Sequence, residues 1–195
     1  MTGTEAKSGN WMEPRESVLH GAFSRILQLL ARISPGGRTL RVLLHRARGV
    51  RIGSGVWIGY DAVLETARPD LIIIEDGATI SIGAMIVAHF KEFRGVRIER
   101  EAFIGPGAII LPNVVVGRGA VVKAGSVVSQ SVPPLTIVEG NPAVAVAKCG
   151  VALRQDISLK TFSRTLQPVK APGPGPATEP DRQLAAATPR ESAIS

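Results

Sequence analysis

The sequence has few of the residues that most proteins use for an aromatic core or for covalent cross-links. Aromatic residues make up 4% of the 195 residues, and Cys149 is the one cysteine. A single cysteine cannot form an internal disulfide, so we expect a reducing compartment. No apolar run approaches the roughly 20 residues that span a bilayer, and the polar N-terminal residues lack the apolar core of a signal peptide. We therefore expect a cytoplasmic protein with an aliphatic core.

Basic charge is concentrated in one segment of the chain. Residues 15–53 hold eight arginines and one glutamate, a formal charge of +7 that matches the net +7 of the whole chain. A nucleic-acid-binding surface would spread basic residues along a whole face and interleave them with stacking aromatics. We therefore expect no nucleic-acid partner. A basic amphipathic contact with an anionic membrane is the less favoured alternative for this segment.

Composition and periodicity divide the chain into parts. Apolar residues at helical spacing predict an amphipathic helix, and they are Val18, Ala22, Ile26, Leu29 and Leu30. The sequence SPGG ends this helix, and a second short helix follows. We expect the helix pair to cover one end of the next domain. The predicted parts are disordered residues 1–14, N-terminal helices at 15–49, a repeat domain at 50–150, a closing segment at 151–167 and a disordered, proline-rich tail at 168–195.

In the repeat domain, a branched aliphatic residue returns at every sixth position. The longest unbroken series is Ile98, Ile104, Ile110, Val116, Val122 and Val128. A small or aliphatic residue follows each of them four positions later. Six residues fit a short strand and a turn, whereas the helical period is 3.6. Each unit can bury its aliphatic side chain only by stacking on a neighbour, so the array predicts an all-β solenoid.

The segment IGPGAIILPNVVVGRGAVVKAGSVVSQSVPPLTIVEGNPAVAVAK at residues 104–148 resembles the hexapeptide-repeat acyltransferases. These include the serine, maltose, galactoside and xenobiotic acetyltransferases. The resemblance implies a left-handed parallel β-helix with three hexads per coil, assembled as a homotrimer. It also implies transfer of an acetyl group from acetyl-CoA, or another acyl-CoA, to a hydroxyl or amine of a small molecule or sugar.

His89 lies where the hexad pattern lapses between two well-formed stretches. The ordinary pKa of an imidazole is about 6.5, so a neutral ring can act as a base near neutrality. The resemblance implies that His89 removes a proton from the acceptor, which then attacks the thioester. Candidates for orienting its ring are Glu92, Glu99 and Glu139. The other histidines, His20 and His45, are expected to have surface or packing roles.

The resemblance further implies a donor site in a slot between neighbouring subunits. Backbone groups of the turns at 105–107 and 124–125 would face the pantetheine arm. Lys123 stands where the family commonly has glycine, and we expect Lys123 and Lys148 to contact the CoA phosphates as point charges. The residues implied to bind acyl-CoA are Gly105, Pro106, Gly107, Lys123, Ala124, Gly125, Ser129, Asn141 and Lys148. We expect no metal, since the zinc-dependent β-helical carbonic anhydrases need three histidine ligands and only His89 lies in the repeats.

Two departures from the family pattern leave an alternative function open. Many relatives carry basic residues where this chain has Gln130 and Val144. Their loss favours a non-catalytic β-helix that serves as a scaffold or binding module. Affinity for acyl-CoA would distinguish this alternative from the enzyme.

Overall fold

The computed structural model describes residues 18–89, 94–154 and 156–169. Helices α1 (Val18–Ile33) and α2 (Leu40–Ala47) precede a β-helix, and a hairpin with helix α3 (Leu159–Arg164) follows it. The predicted disordered residues 1–14, most of the predicted tail and the candidate Glu92 lie outside the described residues.

The β-helix is built from strands of two or three residues. They are β1 (Arg51–Ile52), β2 (Trp57–Ile58), β3 (Val63–Leu64), β4 (Ile72–Ile74), β5 (Thr79–Ile80), β6 (Met85–Ile86), β7 (Val96–Ile98), β8 (Phe103–Ile104), β9 (Ile109–Ile110), β10 (Val115–Val116), β11 (Val121–Val122) and β12 (Val127–Val128). Three successive strands make one coil. A 3₁₀ turn at Pro69–Leu71 precedes β4.

Parallel pairing stacks the coils into three flat faces. The first face has the order β1-β4-β7-β10 and the third has the order β12-β9-β6-β3. The second face contains β2, β5, β8 and β11, and it continues into β13 (Thr136–Gly140), β14 (Ala143–Lys148) and β15 (Gln167–Pro168). The predicted left-handed parallel β-helix is confirmed.

The pairing register gives the length of each coil. Phe103 pairs with Val121, eighteen residues on, which is three hexads. Thr79 pairs with Phe103, twenty-four residues on, and Trp57 pairs with Thr79, twenty-two residues on. The first two coils therefore carry four and six extra residues, and the stack of strands remains in register through both insertions.

The core of the β-helix is the aliphatic series that the period of six predicts. Its branched members are at most 1% exposed, and they include Ile58, Ile74, Ile80, Ile86, Ile98, Ile104, Ile110, Val116, Val122 and Val128. Alanines at the turns are equally buried. Some turns leave no room even for a methyl group. A Cβ on Gly105 would lie 2.7 Å from the Ala124 nitrogen in the next coil, so glycine is required there.

The N-terminal helices cover the open end of the first coil. That coil has no preceding coil to bind its backbone, and the helical layer supplies the partners instead. The Gly37 carbonyl accepts from Ile58 N–H at 2.8 Å, and the Arg41 guanidinium donates to the Ile58 carbonyl at 2.7 Å. Arg46 likewise donates to the Ile52 carbonyl at 2.9 Å. Buried backbone groups need such partners, so these arginines stabilise the end of the solenoid.

The side of α1 that packs on the β-helix is polar. Ile26, Leu29 and Leu30 are exposed, while Ser24 and Gln28 are buried against the first coil. The reason is hydrogen bonding: Ser24 Oγ donates to the Thr66 carbonyl and Gln28 Nε2 to the Ala62 carbonyl. Apolar side chains could not have satisfied those carbonyls.

The far end of the β-helix is closed by β13, β14, β15 and α3. Ordered pairing continues beyond residue 167, where the tail was predicted to begin. Pro168 pairs with Ala147, and Val169 N–H donates to the Val146 carbonyl. Cys149 and Phe162 are buried in this end of the molecule.

Candidate active site

Both insertions leave the β-helix at the same edge of the triangular stack. Residues 65–71 follow β3, and residues 87–95 follow β6, which pairs with β3 one coil away. We call this edge, between the third and first faces, the interrupted edge. Residues that leave the repeat at equivalent positions of adjacent coils come close together, although more than twenty residues separate them in sequence.

His89 and Glu65 meet at the interrupted edge. The Nδ1 atom of His89 lies 2.6 Å from Oε2 of Glu65. The His89 side chain is 45% exposed, whereas that of Glu65 is 6% exposed. An ionised Glu65 accepts the proton of Nδ1–H, which leaves the lone pair of the ring on Nε2. The pair therefore combines a buried, fixed carboxylate with an accessible imidazole.

Glu65 is held in its ionised form. Burial of the carboxyl raises its pKa, but hydrogen bonds from the Ala67 amide and the His89 ring outweigh that and bring the pKa of Glu65 below its ordinary value. The Ala67 N–H donates to Oε1 at 2.9 Å and the Ala88 N–H to Oε2 at 3.3 Å. Hydrogen bonds to the charged form stabilise it. Glu65 is thus an acceptor at neutral pH.

Buried polar side chains of α2 and α1 lie behind Glu65. The Arg48 guanidinium, 2% exposed, donates to the Glu65 carbonyl at 2.5 Å and to the Leu64 carbonyl at 3.0 Å. It also binds the amide oxygen of Gln28 and, at 3.0 Å, Nδ1 of His45. Burial lowers the pKa of Arg48 to about 10, partly offset by the charge of Glu65, so Arg48 remains cationic.

His45 is fully buried in this network. Burial, together with the charge of Arg48, lowers the pKa of His45 to about 3, so its ring is neutral at physiological pH. Its Nδ1 accepts from Arg48, and its buried Nε2 has no hydrogen-bond partner among the described residues. His45 therefore has a packing role, as predicted from its surroundings in the sequence.

The glutamates proposed from the sequence to orient His89 have other partners. Glu99 Oε2 accepts from Arg118 N–H at 2.8 Å, and Glu139 Oε2 accepts from Lys123 Nζ at 2.5 Å. Sequence reasoning missed Glu65, because it lies twenty-four residues before His89. One signal could have found it: both breaks in the hexad pattern follow the third strand of a coil and so fall on one edge.

Most of the predicted donor residues lie at a different edge, between the second and third faces. We call it the glycine edge, formed by the turns at 105–107 and 123–126. Gly107 and Gly125 have φ values of +65° and +69°, and a Cβ on either would point into open space. The glycine edge therefore offers bare, accessible backbone along adjacent coils.

The backbone amides of the glycine edge are mostly engaged already. Gly105 N–H donates to the Val122 carbonyl, Gly107 N–H to that of Ile82 and Gly125 N–H to that of Pro106. Pro106 has no N–H to donate. In the described part of the chain, the Ala124 N–H is the one amide of these turns without a backbone acceptor. Donor binding by these turns stays a prediction, and Ala124 supplies the one amide among them that is available to a ligand in the described part of the chain.

Lys123 and Asn141 also belong to the glycine edge. Lys123 follows β11 and forms its ion pair with Glu139 on the adjacent strand β13. The β13–β14 turn, which contains Asn141, is held over this edge by Gly140 N–H donating to Ser126 Oγ at 3.2 Å. Asn141 is exposed there.

Ser129 and Lys148 lie apart from the glycine edge. Ser129 follows β12, so it belongs to the edge that also carries Glu65, three coils further along. Lys148 pairs with Thr136 at the start of β13, whereas Lys123 lies beside Glu139 near its end. The two lysines that were predicted to bind CoA phosphates are therefore separated along the second face.

In the part of the chain that the structure describes, no three His, Cys, Asp or Glu side chains are grouped as metal ligands. The arrangement instead offers an oriented imidazole at the interrupted edge and an open backbone strip at the glycine edge. The turn at 81–84, between β5 and β6, lies on the same edge as the turns at 105–107 and 123–126. Gly83 in that turn precedes His89 by six residues, so one hexad separates the two edges within a coil. Six extended residues span roughly 20 Å.

Comparison with known proteins agrees with the fold. The family described as "Bacterial transferase hexapeptide (six repeats)" matches residues 95–130. The serine acetyltransferase of Escherichia coli is 38% identical over 116 residues, which cover 56% of this chain and 40% of that enzyme. Serine acetyltransferase 2 of Arabidopsis thaliana is 33% identical over 158 residues, which cover 76% of this chain and 42% of that enzyme. The chain thus spans about two fifths of the length of these relatives.

A solved structure has the same fold. It is a hexapeptide-repeat acetyltransferase of Vibrio cholerae complexed with acetyl-CoA, 23% identical, with a TM-score of 0.53. The alignment covers 67% of this chain and 87% of that one. At this level of identity the likeness concerns the β-helix.

Proposed function

Residues 95–130 match the bacterial transferase hexapeptide family, and from that premise we propose that the protein is an acyl-CoA-dependent acyltransferase. It would move an acetyl group from acetyl-CoA to a hydroxyl or amine of a small molecule or sugar, with O-acetylation preferred. The observation that carries the proposal is the 2.6 Å contact between His89 and Glu65. The relatives named above are acetyltransferases, and the Vibrio cholerae protein binds acetyl-CoA.

His89 is the proposed general base. Nδ1–H donates to Glu65, so Nε2 accepts the proton of the acceptor hydroxyl or amine. The acceptor atom then bonds to the thioester carbon and the carbonyl oxygen becomes negatively charged. When that intermediate collapses, the carbon–sulfur bond breaks and the CoA sulfur leaves with the proton held by His89. Glu65 stabilises the imidazolium between these steps, and general-base catalysis of this kind contributes about 10²–10⁴-fold.

The glycine edge is the proposed donor site. The Ala124 N–H is available to stabilise the oxyanion, because it has no backbone acceptor among the described residues. The open sides of Gly107 and Gly125 allow the pantetheine arm to approach the backbone. Lys148 and Lys123 remain the proposed phosphate contacts, and Lys123 would have to exchange its partner Glu139 for a phosphate.

These roles require a second subunit. A base must lie about 3 Å from the proton that it removes, whereas one face of the β-helix, roughly 20 Å across, separates His89 from Ala124 within a chain. We therefore propose a homotrimer in which the interrupted edge of one subunit lies beside the glycine edge of the next. Sedimentation equilibrium should give three times the 20.5 kDa mass of the chain. A fully active monomer would contradict this arrangement.

Calorimetric titration with acetyl-CoA tests the donor site without knowledge of the acceptor. We expect micromolar affinity at about one site per chain, a binding free energy of roughly −8 kcal/mol. An acceptor screen with His89→Ala as the inactive control would then identify the second substrate. Absence of binding at millimolar acetyl-CoA would reject the enzyme.

The alternative remains a non-catalytic scaffold or binding module. Two observations favour it: Lys123 is paired with Glu139, and among the described residues five of the six amides in the glycine-edge turns already donate within the β-helix. A scaffold would retain the fold and lack acetyl-CoA affinity, so the same titration decides between the two.

A further inference from the structure

Helix α1 presents its apolar side to solvent. Five large apolar side chains recur at intervals of four and three residues and form one stripe: Leu19, Phe23, Ile26, Leu30 and Ile33. All of them are at least 43% exposed. We call these five residues, with the neighbouring Leu29, the apolar stripe; Leu40 and Leu43 of α2 are also exposed. Residues scattered singly on a surface need no explanation, but a contiguous apolar surface marks an interaction site.

The exposure follows from how α1 is fixed to the β-helix. Its opposite side is polar and small, and hydrogen bonds from Ser24 and Gln28 join it to backbone carbonyls of the first coil. Rotating the helix to bury the stripe would break both bonds and leave the Thr66 and Ala62 carbonyls without these donors. A buried carbonyl left without a donor is destabilising.

The surroundings of the stripe are strongly basic. Residues 18–60 contain seven arginines and no aspartate or glutamate. Arg41 and Arg48 are buried, whereas Arg25 and Arg38 are exposed. By helical periodicity, Arg25 and Arg32 follow one margin of the stripe, beyond Leu29. Arg32 is paired there with Asp61 at 2.5 Å, so the charge at this margin comes from Arg25. The surface thus combines an apolar centre with positive charge.

We propose that the apolar stripe docks the protein on the surface of an anionic lipid bilayer. A second copy of this chain fits less well, because it would bring arginines against arginines. An anionic bilayer offers acyl chains to the stripe and negative headgroups to the arginines. A helix of this kind lies in the plane of the interface, and 16 residues extend about 24 Å along it. Among the described residues, no helix is long and apolar enough to cross the bilayer.

This proposal revises the expectation that membrane contact is the less favoured alternative. That expectation was made without knowing which side of α1 faces solvent, and the structure shows that Ile26, Leu29 and Leu30 are exposed. The proposal is independent of the acyltransferase activity, because vesicle binding can be measured without acyl-CoA or acceptor.

Co-sedimentation of the full chain with vesicles tests the proposal. We expect binding to phosphatidylcholine vesicles that contain roughly 30% phosphatidylglycerol at about 0.05 M salt, and at least about 10-fold weaker binding at 0.5 M salt, because attraction to headgroups is screened. Binding to pure phosphatidylcholine should be similarly weak. No sedimentation with anionic vesicles at low salt, or equal binding to both compositions, would overturn the proposal.

Matched variants assign the binding to the stripe. Ile26→Ser with Leu30→Ser should reduce vesicle affinity at least about 10-fold, because two apolar side chains leave the bilayer. Arg25→Gln should reduce it about 5-fold. The control, Leu159→Ser with Leu166→Ser, removes two exposed leucines at the other end of the molecule and should bind like the wild type. Equal losses in both double variants would contradict the assignment.

Sedimentation velocity of the Ile26→Ser, Leu30→Ser variant separates a bilayer contact from a contact between copies. We expect its oligomeric state to match that of the wild type, with circular dichroism unchanged because both positions are exposed. Dissociation of an oligomer in this variant alone would assign the stripe to a subunit interface and overturn the membrane proposal.

Discussion

The two halves of the β-helix differ in what their coils contain. From Ile98 to Val128 the hexads run without a break, and the interior is filled with aliphatic and small side chains. The first two coils carry both insertions, and buried charged side chains, Glu65 and Arg48, lie beside them. The comparison teaches that regular hexads build the scaffold, while departures from the repeat bring chemically active groups together.

The charged groups of the interrupted half are stable there because each has partners. Glu65 accepts two backbone N–H bonds and one from His89, and Arg48 donates to two backbone carbonyls. Burying a charge without such partners costs several kcal/mol. The interior of the regular half needs no such network of charged groups, since its buried branched side chains, such as Ile104 and Val122, are aliphatic.

The largest expected effect is on catalysis, from a substitution at the interrupted edge. His89→Ala should lower kcat by about 10²–10⁴-fold, because the proposed general base is lost, while acetyl-CoA affinity and thermal unfolding stay near wild type. Turnover with the acceptor found in the screen measures kcat. Calorimetry measures the acetyl-CoA affinity and the thermal unfolding. A His89→Ala protein with near-normal turnover would reject His89 as the base.

In the regular half, substitution should act on stability instead. Ile104→Ala removes a fully buried side chain and should lower the free energy of unfolding by about 2–5 kcal/mol. Val115→Ala, at a position 37% exposed, is the control and should change it by less than about 1 kcal/mol. Urea unfolding midpoints measure both. Similar midpoints for the two variants would mean that the interior is not closely packed.

Glu65→Gln should affect turnover while leaving donor binding intact. A hydrogen bond to a charged group contributes about 1.5–3 kcal/mol, so we expect kcat to fall roughly 10- to 150-fold with unchanged acetyl-CoA affinity. The control is Glu99→Gln, whose carboxylate accepts from the Arg118 amide in the regular half and should have little effect. Equal effects of Glu65→Gln and Glu99→Gln on kcat would contradict the positioning role of Glu65.

The buried His45 should make stability depend on pH. Its pKa of about 3 in the folded protein lies below the ordinary 6.5, so the unfolded chain binds a proton that the folded protein excludes. Its contribution to stability is complete above pH 6.5 and is lost as pH falls toward 3, at up to about 1.4 kcal/mol per pH unit. Between pH 7 and 5, wild type should lose about 2 kcal/mol more than His45→Gln in urea unfolding. Equal losses of unfolding free energy in the wild type and in His45→Gln would contradict a neutral, buried His45 ring.

Much of the fold could be predicted because the hexad is a local signal repeated many times. Positions from Ile98 to Val128 are buried at the predicted interval, and the turn alanines fill the corners between strands. The candidate site was only partly predictable. His89 was identified from the lapse in the pattern, whereas Glu65 was missed because its contact depends on how two insertions in different coils stack.

The apolar positions of α1 show a second limit on what the sequence can predict. Helical spacing correctly predicted an amphipathic helix, since α1 spans Val18–Ile33. It could not predict which side would be buried, because that choice depends on backbone carbonyls of the first coil, more than thirty residues away in sequence. Hydrogen bonds from Ser24 and Gln28 to those carbonyls fix which side of α1 faces the β-helix.

The sequence alone determined the β-helix, its aliphatic core and the location of the histidine, because a period of six commits each strand to the same burial wherever it lies in the stack. Three features depend on the folded arrangement: the contact of Glu65 with His89, the engaged amides of the glycine edge and the exposure of the apolar stripe on α1. These outcomes depend on contacts between coils and layers, where polar groups distant in sequence must find partners once water is excluded.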